Sequence, residues 1–243
     1  MKDFDPFASF GPEVAAQYDH DLRGDEAETV ALLAELAAGR PTLELAIGTG
    51  RIAVPLAATG LKVDGIEQSA AMVDVLRSKP GGSELSVTLG DMAEVPVDGS
   101  YGLIYLVYNT LFNLLTQDDQ VRCFENVAKH LDADGVFLVE AGVPDQFYAT
   151  RANQYVDAEG IGVDYVQLDV GRFDRVTQTL DESHVRISAA GITTTPIVTR
   201  YSWPSEIDLM ARIAGLRLIS REAGWKHEPF TSTSNRHISL YGR

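Results

Sequence analysis

The twelve residues Thr42-Leu-Glu-Leu-Ala-Ile-Gly-Thr-Gly-Arg-Ile-Ala53 constrain this chain more than any other stretch. Leu43, Leu45 and Ile47 make a short apolar run that reads as a buried strand. The run breaks at Gly48-Thr49-Gly50, and apolar residues resume at helical spacing with Ile52 and Leu56. The prediction is strand, glycine turn, helix. Glycines at 48 and 50 let the backbone turn tightly and approach a ligand, because no Cβ intervenes. The helix that follows aims its free N–H groups at the same spot. A carboxylate or phosphate is welcome there.

Two cofactor classes fit this element. Gly48-Thr-Gly-Arg-Ile-Ala53 matches the dinucleotide pattern of two glycines and a third small residue, with the acid Glu67 about 20 residues on. That reading predicts a nicotinamide-dependent oxidoreductase. A second acid, Glu44, stands four residues before the first glycine. The pattern Glu44-x-Ala46-x-Gly48-x-Gly50 resembles motif I of the class I S-adenosylmethionine (SAM) methyltransferases. Glu67 and the pair Asp91-Met92 then fall where that family holds ribose and adenine.

The totals bound the rest. A chain of 243 residues suits one full-sized α/β domain, or such a domain with a small insert. Its hydrophobic fraction of 45% is ordinary for a globular core. No run of about 18 apolar residues is present, so no membrane span is expected. The opening Met-Lys-Asp-Phe-Asp-Pro lacks an apolar stretch, so no signal peptide is expected. Cys123 is the lone cysteine and cannot form an internal disulfide, which makes a cytoplasmic setting the default. Its helical context predicts packing rather than reactivity. A net charge of −15 repels phosphate backbones, so nucleic acid is not expected as a partner. The five histidines are scattered and no metal-ligand spacing appears, so no metal is expected.

Along the chain, Gly11–Leu22 has helical character, and Glu26–Ala38 is a strong amphipathic helix ended by Gly39. Leu61–Ile66 reads as the second strand, ended by Glu67, with Ser69 as the N-cap of a helix to about Arg77. An acid at that strand end can accept both ribose hydroxyls of an adenosine. Leu85–Leu89 is the third strand and ends in Gly90-Asp91-Met92. Tyr101–Val107 is the fourth and runs into Tyr108-Asn109, which fall over the ligand crevice. Gln117–Leu131 is a helix, Gly135–Val139 the fifth strand, and Glu140 stands at its end. From Asp145 to about Tyr201 the helical pattern gives way to alternation, notably at Val163–Val170 and Val185–Ile187. This is too long for a loop and predicts a small antiparallel β insert capping the C-terminal edge of the main sheet. Pro204 opens a last helix, and Leu216–Arg221 and Ile238–Tyr241 close the chain as two strands.

The fold expectation is therefore α/β: a Rossmann-like, seven-stranded sheet with one antiparallel strand, carried by residues 1–144 and 204–243. Helices within 11–38 serve as a lid, and residues 145–203 form the β-rich substrate cap. Residues 40–140 resemble the class I SAM methyltransferases throughout. The finer likeness is to the small-molecule branch of bacterial specialised metabolism, the nucleotide-sugar N,N-dimethyltransferases. It rests on Tyr18-Asp19, Arg23, Gly90-Asp91-Met92, Val139-Glu140 and the insert.

The resemblance implies SAM as cofactor and S-adenosyl-L-homocysteine as product. It implies cofactor contacts from Tyr18, Arg23, Glu44, Ala46, Gly48, Thr49, Gly50, Glu67, Gln68, Asp91, Met92, Tyr108 and Asn109. Tyr18 would sit near the sulfonium and Arg23 near the methionine carboxylate, as an aromatic ring tolerates a cation and a guanidinium pairs with a carboxylate. The acceptor is a small molecule methylated at N or O, with amino sugars and other specialised metabolites in view. An amine needs only to be neutral, whereas a hydroxyl needs a base. Candidates near the chemistry are Tyr18, His20, Glu140 and His227, with His184 in the insert. The alternative within the same fold is a SAM-binding protein that does not transfer methyl groups. A monomer or a homodimer is expected.

Overall fold

A computed structural model describes residues 1, 4, 9–20, 23–145 and 153–243. The last two residues of the helix expected over Gly11–Leu22, and the first part of the insert, lie outside the described residues. The chain begins with α1 (Pro12–Gln17), a 3₁₀ turn over Tyr18–His20, and α2 (Glu26–Ala37). A repeating pattern follows: β1 (Thr42–Leu45), α3 (Ala53–Ala57), β2 (Val63–Glu67), α4 (Ala70–Ser78), β3 (Ser86–Leu89), β4 (Tyr101–Leu106), α5 (Gln117–His130) and β5 (Leu131–Gly142). Four long strands come next: β6 (Gln154–Ile161), β7 (Tyr165–Asp174), β8 (Thr179–Ser188) and β9 (Gly191–Arg200). The chain closes with α6 (Pro204–Ile213), β10 (Arg217–Glu222) and β11 (Arg236–Gly242).

The main sheet has the order β10-β11-β5-β4-β1-β2-β3. β3, β2, β1, β4 and β5 run parallel, and β11 enters antiparallel beside β5. This is the seven-stranded arrangement expected, with one reversed strand. β1, β2 and β4 are buried along their whole length, because helices cover both faces and leave no solvated side. Alternation along β4 splits its residues between two cores. Leu103 and Tyr105 face Leu33, Leu56 and Leu76, while Ile104 and Leu106 face Phe124, Phe137 and Tyr241. Rings in the second core meet edge-on, Phe124 lying 5.0 Å from Phe137 and 5.7 Å from Tyr241. Cys123 is fully buried there, and burial pushes its thiol up to about 12, so it packs and does not react.

Local signals set the helices. Ser69 Oγ accepts from Met72 N–H at 3.2 Å and opens α4 as expected. Thr116 Oγ1 accepts from Asp119 N–H at 3.0 Å and opens α5, whose first turn is acidic and last turn basic. α2 begins with Glu26 and Glu28 and packs Leu32, Leu33 and Ala37 into the helix layer behind the sheet. Of the span expected as a lid, the 3₁₀ turn touches the glycine turn, where Asp19 accepts from Thr49 Oγ1 at 2.7 Å. The first strand ends two residues earlier than predicted, because Ala46 turns to φ +53°.

β6 to β9 form a separate antiparallel sheet in sequence order. Sequence alternation did not single out β6. Tyr155, Phe173, Leu180 and Tyr201 join the core that contains Leu111 and Phe112, just beyond β4. Arg200 fastens β9 to the main body: its guanidinium donates to Gln120 and Ser202 at 2.7 and 2.8 Å and to Glu206 at 2.7 Å. The insert thus stands at the C-terminal edge of the parallel strands, where open α/β sheets bind ligands.

Candidate active site

The glycine turn leaves β1 through a run of positive φ angles: Ala46 at +53°, Gly48 at +57° and Gly50 at +75°. A Cβ on Gly50 would meet Leu76 and Val54 at 3.0 Å, so glycine is required for both conformation and space. Glu44 lies beneath the turn, 4% exposed, and its Oε2 accepts from the Tyr105 hydroxyl at 2.9 Å. Burial pushes its carboxyl up to about 8, against the hydrogen bond from Tyr105 and the charge of Arg51. Glu44 is thus buried at the junction of β1 and β4, hydrogen-bonded to Tyr105.

Glu67 ends β2 beside the same turn. Its Oε2 accepts from Gly48 N–H at 2.8 Å, and its Oε1 accepts from Gln68 and Ser69 N–H at 2.9 and 2.8 Å. A carboxylate offers about four acceptor positions, so three are filled and one edge remains for a ligand. Gln68 contributes its backbone N–H, while its side chain is exposed. Asp91 follows β3, the neighbour of β2, and its Oδ1 accepts from Ala93 N–H at 2.8 Å. Met92 beside it is buried. Gly90 N–H donates to the Glu67 carbonyl at 2.9 Å, which holds the two acidic strand ends together.

On the other side of β1 stands the end of β4. Tyr108 and Asn109 have φ +69° and +62°, unusual values for residues with side chains. Two bonds to β5 hold them there. Tyr108 N–H donates to Glu140 Oε2 at 2.8 Å, and Gly142 N–H donates to Asn109 Oδ1 at 2.5 Å. The other Glu140 oxygen takes Arg23 Nη2 at 2.6 Å and Arg236 Nη1 at 3.4 Å. Asp25 joins this network through Arg236 at 2.6 Å, Arg23 at 3.4 Å and the Trp225 indole N–H at 3.2 Å. The Tyr108 ring lies between two guanidinium groups, with Arg23 at 4.5 Å and Arg51 at 4.0 Å.

The segment before α2 folds across this edge. Ser9 Oγ donates to the Pro196 carbonyl on β9 at 2.9 Å, and Ser69 Oγ donates to the Phe10 carbonyl at 2.6 Å. Asp19 accepts from Thr49 Oγ1 at 2.7 Å and pairs with Lys79 at 2.5 Å. Burial opposes the Asp19 charge, but those hydrogen bonds outweigh it and hold the carboxyl below its usual range. Tyr18 faces the turn with Arg51 5.2 Å from its ring, and burial raises its phenol.

Thus Tyr18, Arg23, Thr49, Gly48, Glu67, Asp91, Tyr108, Asn109 and Glu140 converge on one edge. The histidines do not join them. His20 is exposed at the end of the 3₁₀ turn. His227 is exposed on the loop after β10 and hydrogen-bonds Glu222 at 2.9 Å. His184 is on β8, 2.7 Å from Asp169, which raises its pKa. Sequence reasoning missed Arg51, Asp25, Trp225 and Arg236 as site residues. Arg51 stood inside the glycine motif, but an arginine after a turn carries no pattern that separates it from a solvated one. Asp25 and Arg236 are 211 positions apart, and no local signal joins them.

The chain is similar to known proteins across this whole frame. A family model described as a methyltransferase domain matches residues 42–135. The CcbJ methyltransferase from Streptomyces caelestis superposes with a TM-score of 0.92 at 34% identity, covering 98% of this chain and 99% of that one. A cypemycin N-terminal methyltransferase of Streptomyces sp is 28% identical over 212 residues, 84% of each chain. A dTDP-4-amino-2,3,4,6-tetradeoxy-D-glucose N,N-dimethyltransferase of Saccharopolyspora spinosa is 30% identical over 148 residues, 57% of this chain and 58% of that one.

Proposed function

The chain belongs to the SAM-dependent methyltransferases, and on that premise we propose that it methylates a nitrogen atom of a small-molecule amine. The nicotinamide alternative is set aside. Two observations fit the residues to SAM. The positive φ angles at Ala46, Gly48 and Gly50 curl the backbone into a tight turn at the strand end, with no Cβ at its two glycines. The Glu67 carboxylate, with one edge free, stands at the strand end beside it. When bound, SAM supplies a methyl group on a positively charged sulfur that leaves as a neutral thioether. Glu67 takes the ribose, Asp91 the adenine amino group, and Met92 lines the ring. Tyr18 offers a π system that tolerates a cation without attacking it, while the Tyr108 ring already carries Arg23 and Arg51. The segment over Tyr18-Asp19, tied down through Thr49 and Lys79, would help align the acceptor with the methyl group.

The observation that carries nitrogen over oxygen is the state of the candidate bases. Glu140 is buried and ion-paired with Arg23 and Arg236, and its second oxygen takes the Tyr108 N–H, so its charge is already compensated. His20 and His227 are exposed, and His227 is paired with Glu222. A neutral amine attacks with its own lone pair and later releases a proton to water, so it needs none of them. The names of two relatives also describe nitrogen methylation, one at an N-terminus and one on an amino sugar. Amino sugars are accordingly the narrower reading.

The test is incubation with SAM and a panel of nucleotide-linked amino sugars, peptides with free N-termini and hydroxylated analogues, read by mass spectrometry. Methyl groups on nitrogen are expected. Products methylated only at oxygen would overturn the proposal. SAM binding without product from any acceptor would favour a binding role.

A further inference from the structure

Alternation in the insert runs the wrong way round for a sheet that ends as a monomer's surface. Tyr155, Phe173 and Leu180 lie on the face that packs into the main body. Asp169, Glu182 and His184 share that face, since Asp169 stands opposite His184 and Glu182 opposite Gly171 in the same ladder as Phe173 and Leu180. The inward face therefore carries the charge. On the outward face, register aligns Ile161, Val166, Ile187 and Ile192 in one row across all four strands. Two rows on, Val156 stands opposite Val170. No residue in these three rows is charged. Yet Ile161 is 78% exposed, Ile192 69% and Val156 64%. An antiparallel sheet with one solvated side ordinarily turns its polar residues out.

At these exposures the three rows present roughly 650 Å² per copy, above the 300–600 Å² or so of the largest apolar patch on an ordinary monomer. Two such patches face to face bury about 1,300 Å², within the range of stable interfaces. Charge says what covers them. The chain carries −15, so two copies repel wherever their acids face one another. The three uncharged rows let them meet without that cost, and offer a charged partner nothing to pair with. The next row on the same face holds Arg172 and Asp181, joined at 2.5 Å, and the Met1 ammonium reaches Asp181 at 2.6 Å. That row gives the patch a polar rim whose charges are already matched. An aliphatic sheet face is its own complement under a two-fold axis, with two sheets stacked about 10 Å apart and their strands within about 30° of each other.

We propose that the outward face of the β6–β9 sheet joins two copies of this chain in a symmetric dimer. The test is sedimentation velocity of the full chain from about 1 to 100 µM, since association follows mass action. Wild-type protein is expected to run at twice the chain mass. Ile187→Lys sets two like charges in the joint and is expected to raise the dissociation constant at least about 100-fold. Val170→Cys gives a second reading. Cys123 is buried, so the new thiol is the accessible one, and a short bis-maleimide is expected to link two copies through it. Glu35→Cys, on the exposed side of α2, is expected not to link. Should Ile187→Lys not fold, the Val170→Cys linkage carries the test. A wild-type monomer at every concentration would overturn the proposal and give the face to another occupant. A dimer that Ile187→Lys leaves intact, or one that links through Glu35→Cys and not through Val170→Cys, would overturn it too.

Discussion

Glu67 Oε2 lies 2.8 Å from the backbone nitrogen of Gly48. The acid that ends the second strand thus also closes the turn that follows the first, and one carboxylate couples the shape of the turn to the ligand edge. Glu67→Ala is expected to weaken SAM about 30-fold, through the ribose bond and a loosened turn together. Glu67→Gln keeps one acceptor but meets an N–H with an NH₂, so an intermediate loss of about tenfold is expected. Methylthioadenosine should weaken in parallel, as it carries the same ribose. Calorimetry of both variants checks this, and unchanged binding in Glu67→Ala would remove Glu67 from the site.

The two motif glycines differ in what surrounds them. A Cβ at Gly48 meets only the Ala46 carbonyl at 3.9 Å, whereas one at Gly50 meets Leu76 and Val54 at 3.0 Å. Both carry positive φ. Gly48→Ala is expected to cost about 1 kcal/mol and Gly50→Ala about 2 to 3 kcal/mol, strain plus crowding. Urea denaturation of the two variants would read the order, and equal costs would contradict it.

Two buried groups give stability opposite dependences on pH. Burial, with the Arg221 cation nearby, pushes His237 down to about 3 from an ordinary 6.5. Below pH 6.5 the unfolded chain takes a proton that the folded chain refuses, so stability is lost as pH falls, by roughly 2 kcal/mol at pH 5. Glu44 is the reverse, raised from 4.5 to about 8. Above pH 4.5 the unfolded chain releases a proton that the folded chain keeps, so stability is lost as pH rises, by roughly 3 kcal/mol at pH 7. Glu44→Gln is expected to flatten the alkaline limb, and His237→Gln the acid limb. Thermal unfolding across pH 5 to 8.5 separates them. If the Glu44→Gln curve keeps the wild-type alkaline slope, the buried proton is elsewhere.

Removing the candidate bases is expected to leave the chemistry standing. His20→Ala and His227→Ala should retain methyl transfer within about threefold, because both histidines are exposed. Glu140→Gln breaks a buried ion pair and should cost about 3 kcal/mol of stability. Its residual activity should keep the wild-type pH profile. A titrating limb that vanishes in any of the three variants would identify a general base.

The order of the main sheet and the edge proposed for the cofactor are both legible in local signals. The apolar run to Ile47, the glycines at 48 and 50, and the acids Glu67 and Asp91 are local signals, each read within a few residues of its strand end. Periodicity fixed the helices in the same way, from Ser69 as a cap to the buried stripe of α5. The antiparallel insert was legible as alternation, though β6 was not. Its sequence Gln-Tyr-Val-Asp-Ala-Glu-Gly-Ile has mixed polarity, and pairing with β7 makes it a strand. Which charges meet is set by packing. Arg23, Asp25, Glu140 and Arg236 come together because β5 and β11 lie side by side and the segment before α2 crosses their ends. The same convergence pairs Glu140, a base candidate when read alone, with two guanidinium groups. Pairing over such separations depends on packing that periodicity does not encode. Local pattern therefore marks the strand ends, and the fold sets which side chains meet above them.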